Sequence, residues 1–265
     1  MPATPRTTVK DLSAMKARGH KITMLTAYDF PTARLLDEAG VETILVGDSM
    51  SMVVQGHENT LPVTLDQIIY HAEIVGRAVE RALIVVDMPF PTYHLGIHKT
   101  IENAARIIKE TRCQAVKLEC GAAQAEIITA LVSAGIPVMA HVGLSPQAVH
   151  QLGGYKVQRD EERLLNDAET AEAAGAFSVL LECVSSNIAK KITEKLRVPT
   201  IGIGAGAVCD GQVLVVNDML GLTNGYVPRF ARKYADLQGV ITDAVTRFRD
   251  DVRNGEFPGE AESYK

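Results

Sequence analysis

Five apolar runs in this chain each close on an ionisable side chain. Residues 41–48 end in Asp48, 82–87 in Asp87, 115–119 in Glu119, 136–141 in His141 and 177–182 in Glu182. Three carboxylates brought together without a cation repel one another and resist ionisation. An all-oxygen set of this kind suits a hard cation, Mg²⁺ above all. Mg²⁺ keeps open or water-filled positions, and the keto and carboxylate oxygens of a 2-oxo acid could fill two of them. Asp48, Asp87 and Glu119 are therefore the candidate metal ligands. Taken singly, each reads equally well as a helix N-cap or a surface ion pair; it is the set that points to a site.

The remaining ends supply other chemistry. Lys117 stands two residues before Glu119, so both point to one face of their strand. Lys117 could hold a substrate carboxylate, form a Schiff base with a carbonyl, or only neutralise Glu119. His141 could donate a hydrogen bond or carry a proton, or be a satisfied structural histidine. Glu182, across from the three carboxylates and off the metal, is the candidate general base. Ser49 offers a hydroxyl and a backbone N–H to an anionic group. The segment I-G-I-G-A-G at 201–206 lacks the G-x-G-x-x-G spacing of a dinucleotide site, and it reads as a phosphate-binding turn or a tight turn beside a bulky cosubstrate.

For these residues to meet, their strands must be parallel neighbours. The spacing predicts eight strands alternating with helices, the pattern of a (β/α)₈ barrel, whose catalytic residues sit at the C-terminal strand ends. An open doubly wound sheet is the competitor. The strands are expected over 22–26, 41–49, 82–87, 115–119, 136–141, 177–182, 200–204 and 213–216. A helix over 8–18, with Val9, Leu12 and Met15 at spacing three, is expected to plug the barrel floor. Further helices are expected over 32–39, from Thr64 with Gln67 closing a capping box, and over 100–111, 122–134 and 161–174. The next carries Ile188, Ile192 and Leu196, and the last covers 231–253. Long connections at 49–63 and 142–159 read as functional loops. The whole of 1–265 is expected to form one domain, with 1–7 a flexible arm and 254–265 a polar tail.

Composition excludes several classes. The 265 residues are 46% hydrophobic and 22% charged with a net charge of −5, which gives no basic footprint for nucleic acid or an anionic membrane. Trp is absent and aromatics are 5%, too few for a single-strand stacking platform. Cys113, Cys120, Cys183 and Cys209 form no C-x-x-C pair and fit a reducing compartment. With no apolar stretch near the N-terminus and no run of roughly 18 apolar residues, a cytoplasmic protein is expected.

Several motifs, in order, resemble one family. They are T-A-Y-D at 26–29, L-V-G-D-S at 45–49, V-Q-G-H at 54–57, L-P-V-T at 61–64, G-G-Y-K-V-Q at 153–158, L-L-E-C-V at 180–184 and I-G-I-G-A-G at 201–206. Together they resemble the ketopantoate hydroxymethyltransferases over nearly the whole chain. Ser51 and Cys120 stand where glycine is common in that family, and 91–98 is unusual for it. The resemblance implies a single barrel of the phosphoenolpyruvate/pyruvate type, a homodecamer, Mg²⁺, and 5,10-methylenetetrahydrofolate as cosubstrate. It implies metal ligation by Asp48, Asp87 and Glu119, and contact with the 2-oxo acid by Asp48, Ser49, Asp87, Lys117 and His141. Glu182 would accept the proton from 3-methyl-2-oxobutanoate, whose enolate takes up the one-carbon unit to give 2-dehydropantoate. Two other readings stay open: another lyase or aldolase on the same barrel, and a barrel that only binds a ligand or assembles.

Overall fold

The structure, a computed structural model, describes residues 5–264. The arm expected over 1–7 therefore lies partly outside the described residues. Within it, the Thr7 N–H donates to the Arg81 carbonyl at 2.7 Å and Arg6 Nε to the Glu80 carbonyl at 3.2 Å.

The chain forms two compact units, Met1–Val215 and Val216–Lys265. The first is a closed, all-parallel eight-stranded barrel in sequential order. Its strands are β1 Ile22–Thr26, β2 Thr43–Val46, β3 Leu83–Asp87, β4 Ala115–Glu119, β5 Val138–Gly143, β6 Ser178–Glu182, β7 Thr200–Ile203 and β8 Gly211–Leu214. Closure with helices between the strands excludes the open sheet. It also explains the unbroken apolar runs, because every residue of β2, β3 and β4 is buried.

Strand parity sorts the inside of the barrel. Leu83 and Val85 of β3, Ala115 of β4, Met139 of β5, Leu180 of β6 and Ile201 of β7 belong to one buried apolar cluster. Leu12 of the first helix, α1 (Val9–Ala17), joins that cluster, with Val9 and Met15 packed against it. α1 thus plugs the end of the barrel where the strands begin. Thr8 starts it through a capping box with Asp11, as Thr64 starts helix Leu65–Ala78 with Gln67.

Several boundaries differ from expectation, β5 among them, which runs Val138–Gly143 rather than over 136–141. The helix after β3 is Ile97–Glu110 rather than starting at residue 100, and Gly96 turns the chain into it at φ 89°. The connection after β2 contains a helical turn, Met50–Val53, and its remainder is tied back by the Ser51 hydroxyl donating to the Asn59 carbonyl at 2.7 Å. β8 pairs at Gly211–Leu214, two residues before the expected strand, because its register follows Ile22–Leu25 of β1. The last helix begins at Leu237, six residues after the expected start.

In the second unit, Val216–Leu220 is a short helix whose Asp218 accepts from the Thr223 hydroxyl. The 18-residue helix Leu237–Asn254 ends at Gly255 in the left-handed conformation, φ 74°. Phe248 on that helix meets Phe257 edge-on, ring centroids 5.3 Å apart.

Candidate active site

The parity that buries Leu83 and Val85 continues up β3 to Asp87. On β4 it carries Ala115 to Lys117 and Glu119, on β5 Met139 to His141, and on β6 Leu180 to Glu182. These side chains therefore share the C-terminal rim of the barrel interior. The register sets Asp87 beside Lys117 and Glu119 beside His141. Asp48 breaks this parity. β2 stops at Val46, and turns at Gly47 and Asp48 swing the Asp48 side chain inward. Gly47 leaves room for this: a Cβ there would lie 2.8 Å from Ser49 Oγ and 3.4 Å from Asp87 Oδ2.

The polar groups form one connected chain. The Asp48 N–H donates to Asp87 Oδ2 at 2.9 Å. Lys117 Nζ lies 2.9 Å from Asp87 Oδ1 and 3.4 Å from His141 Nδ1. His141 Nε2 lies 3.2 Å from Glu182 Oε2. An ammonium only donates, so Nδ1 must accept and the imidazole hydrogen sits on Nε2, facing Glu182. Burial, with Lys117 beside it, pushes the His141 pKa below its ordinary value, consistent with this neutral tautomer. Glu119 joins the others through Gln147, whose backbone N–H donates to both carboxylate oxygens at 3.1 and 3.2 Å. Gln147 Nε2 donates to Asp48 Oδ2 at 2.8 Å. Ser49 Oγ is 2.8 Å from the Tyr28 hydroxyl.

Electrostatics separate the roles. Burial pushes the Asp48 carboxyl up to about 7, and Asp87 adds to the rise. Burial, and then Asp48, raise Glu119 well above the carboxylate range. Burial alone would lower Lys117, but Asp87 and Asp48 outweigh it and hold the amine protonated. A lysine kept as an ammonium is a charge clamp and a poor Schiff-base nucleophile, which disfavours that reading of Lys117.

The donor set fits a hard divalent cation. Asp48, Asp87 and Glu119 offer only oxygen, and the burial that raises the proton affinity of Asp48 and Glu119 leaves negative charge there for a cation to compensate. Asp87 Oδ1 is buried with no aligned hydrogen bond, held by the Lys117 charge alone. Among the described residues no three His, Cys, Asp or Glu side chains close a cage by themselves; N–H groups of Gln147 and Asp48 stand between the carboxylates.

Backbone conformation shapes the Glu182 side of the rim. Gly143 lies beside Glu182 in the register at φ 112°, and a Cβ there would collide with the Glu182 carbonyl oxygen. Cys183 follows Glu182 at φ 49°, left-handed for a non-glycine residue. Its N–H and carbonyl are bonded to Ile203 and Gln158. Tyr155 is half-exposed; burial raises its pKa, and so do the charges of Glu182, Asp48 and Glu119.

Gln147, Tyr93 and Tyr28 carried no sequence expectation. Tyr28 lies within T-A-Y-D directly after β1, where a rim position was readable. Gln147 lies in a connection, and an amide gives no ionisable signal.

A closed eight-stranded parallel barrel with helices between its strands and ionisable groups at its rim defines the class of the fold, the (β/α)₈ or TIM barrel. A 2,3-dimethylmalate lyase described as a member of the phosphoenolpyruvate mutase/isocitrate lyase superfamily aligns with TM-score 0.61 at 16% identity, covering 97% of this chain and 91% of its own. A phosphonopyruvate hydrolase solved with oxalate and Mg²⁺ aligns with TM-score 0.63 at 12% identity, with the same coverage of 97% and 91%. At such identities the likeness is one of fold. Sequence narrows it. The profile of the ketopantoate hydroxymethyltransferases matches residues 6–260. The 3-methyl-2-oxobutanoate hydroxymethyltransferase of Rhodopirellula baltica is 58% identical over 260 residues, 98% of this chain and 97% of that one. This chain belongs to the ketopantoate hydroxymethyltransferase family.

Proposed function

We propose that this enzyme transfers a hydroxymethyl group to 3-methyl-2-oxobutanoate, giving 2-dehydropantoate, with 5,10-methylenetetrahydrofolate as the one-carbon donor and Mg²⁺ in the rim site. The reaction serves the route to pantothenate and coenzyme A. One observation carries the reading: in a chain of this family, Glu182, His141, Lys117 and Asp87 follow one another across the rim at 3.2, 3.4 and 2.9 Å.

Asp48, Asp87 and Glu119 would hold the cation, which when bound supplies a Lewis acid for the keto oxygen of the substrate. Lys117 and the Ser49 N–H and hydroxyl bind the substrate carboxylate. Glu182 takes the proton from the branched carbon. The His141 Nε2–H holds the Glu182 carboxylate toward that proton. The resulting carbanion equivalent and a water oxygen replace both C–N bonds of the folate's methylene carbon: one C–C and one C–O bond form, and tetrahydrofolate leaves with the proton taken by Glu182 and one from the water.

Self-association is part of the proposal. Val240, Ile241, Val245, Phe248 and Val252 form a stripe along helix Leu237–Asn254, and all are exposed. A stripe of this kind supports a homo-oligomer, and the decamer implied by the family resemblance is the expected size, measurable by analytical ultracentrifugation. No helix among the described residues is long and apolar enough to cross a membrane, which accords with a cytoplasmic enzyme. Product analysis tests the reaction. With both substrates and Mg²⁺, 2-dehydropantoate accumulates, and excess chelator stops it. Product at an undiminished rate under chelator would remove the cation from the proposal.

A further inference from the structure

Gln147 lies at the meeting point of four polar groups, none of them on its own element. Its side-chain Nε2 donates to Asp48 Oδ2 at 2.8 Å and to the Met88 carbonyl at 3.2 Å. Its backbone N–H donates to Glu119. Its Oε1 accepts from the Tyr93 hydroxyl at 2.7 Å. The amide is therefore satisfied on both sides while nearly buried, with 8% of its surface exposed.

The partners also fix which way the amide faces. Turned over, it would set Oε1 against a carboxylate oxygen of Asp48 and the carbonyl oxygen of Met88, and both contacts repel. Tyr93 prevents that by giving its only proton to Oε1. Tyr93 is itself 1% exposed, and its loop is held by Asn103 Nδ2 donating to the Thr92 carbonyl at 2.7 Å.

Asp48 needs such a restraint more than its neighbours do. Asp87 and Glu119 are aimed by strand parity, whereas Asp48 stands past the end of its strand in a turn. Two buried carboxylates left without a shared donor would swing apart by mutual repulsion. One residue donating to both, from side chain and backbone, holds them at a set separation. Each keeps lone pairs free on the side away from the amide.

We propose that Gln147, oriented by Tyr93, is a positioning residue that aims Asp48 and Glu119 at a divalent cation. This rests on the reading above that those carboxylates bind Mg²⁺. Groups that orient metal ligands in this way typically change metal affinity about 10- to 100-fold when removed.

The test is Mg²⁺ titration by calorimetry, with no substrate, on the full-length wild type, Tyr93→Phe, Gln147→Met and the double variant. Gln147→Met is expected to bind about 10- to 100-fold more weakly but not to lose binding, because the backbone N–H still holds Glu119. Tyr93→Phe shifts the affinity in the same direction by less. The double variant binds no more weakly than Gln147→Met, since Tyr93 acts only through the amide. Turnover of Gln147→Met recovers at saturating Mg²⁺, so the defect lies in the metal dependence rather than in kcat. Should Gln147→Met fail to fold, the smaller loss in Tyr93→Phe carries the test. Wild-type affinity in both single variants, or additive losses in the double, overturns the positioning role while leaving the metal reading intact. A wild type that takes up no Mg²⁺ overturns both.

Discussion

The two ends of one set of strands are built on opposite principles. Where the strands begin, the barrel interior is filled by Leu83, Val85, Ala115, Met139 and Leu180, closed off by Leu12 of α1. Two residues further along the same inward faces, the side chains are Asp87, Lys117, His141 and Glu182. Apolar burial at the floor stabilises the fold at about 25 cal/mol per Å². Burial at the rim works the other way, because it forces carboxylates to give up their charge or find a cation. The floor holds the rim's geometry in place, and the rim's discomfort is the binding energy it offers a ligand.

Four substitutions or conditions would sharpen that contrast. The largest effect is expected for Lys117→Met, which leaves Asp87 and Asp48 without their ammonium. The metal-free protein should lose about 3–5 kcal/mol, and kcat/KM for 3-methyl-2-oxobutanoate should fall roughly 10²- to 10³-fold. Denaturant melts and steady-state rates check it; unchanged values in both would make Lys117 a bystander. Leu12→Ala at the floor should cost about 2–5 kcal/mol of stability while the turnover of each folded molecule stays as in the wild type. A loss of kcat without a loss of stability would mean that floor and rim are not separable in this way.

Acidity gives a third test. A carboxyl whose folded pKa is raised binds its proton more tightly folded than unfolded. For Asp48, raised from 3.8 to about 7, the folded state is favoured below pH 4, and that advantage is lost as pH climbs to about 7. Glu119 shifts in the same direction. The Tm of metal-free protein should therefore fall between about pH 4 and 7, Asp48→Asn should flatten the fall, and Mg²⁺ should raise Tm more at pH 8 than at pH 5. A flat metal-free profile would contradict the assigned burial of charge. The smallest effect belongs to Thr64→Ala, far from either end's chemistry. Losing that capping box should cost about 1 kcal/mol, read from the same melts, with activity per folded molecule unchanged.

Most of this contrast was readable from sequence, because strand parity is a local rule. Once 115–119 is a strand, Lys117 and Glu119 must share a face, and the apolar residues below them say which face is inward. The Thr64 cap and the α1 plug were readable for the same reason, since spacing alone exposes them. What sequence hid depends on distant chain. The position of β8 is set by pairing with β1, not by its own residues, two of which are Gly211 and Gln212. The Met50–Val53 turn follows from how the chain leaves β2. Gln147 and Tyr93 come from two different connections and matter only because they meet.

In the proposed mechanism Glu182 is the base, and a cation at the opposite carboxylates makes the proton removable. Proton NMR of 3-methyl-2-oxobutanoate in D₂O with the enzyme, without folate, tests it directly. The expected result is loss of the branched-carbon proton signal that requires Mg²⁺ and is abolished in Glu182→Gln, while that variant still binds Mg²⁺ in a separate titration. Exchange at the wild-type rate in Glu182→Gln, or exchange unchanged under chelator, would contradict it.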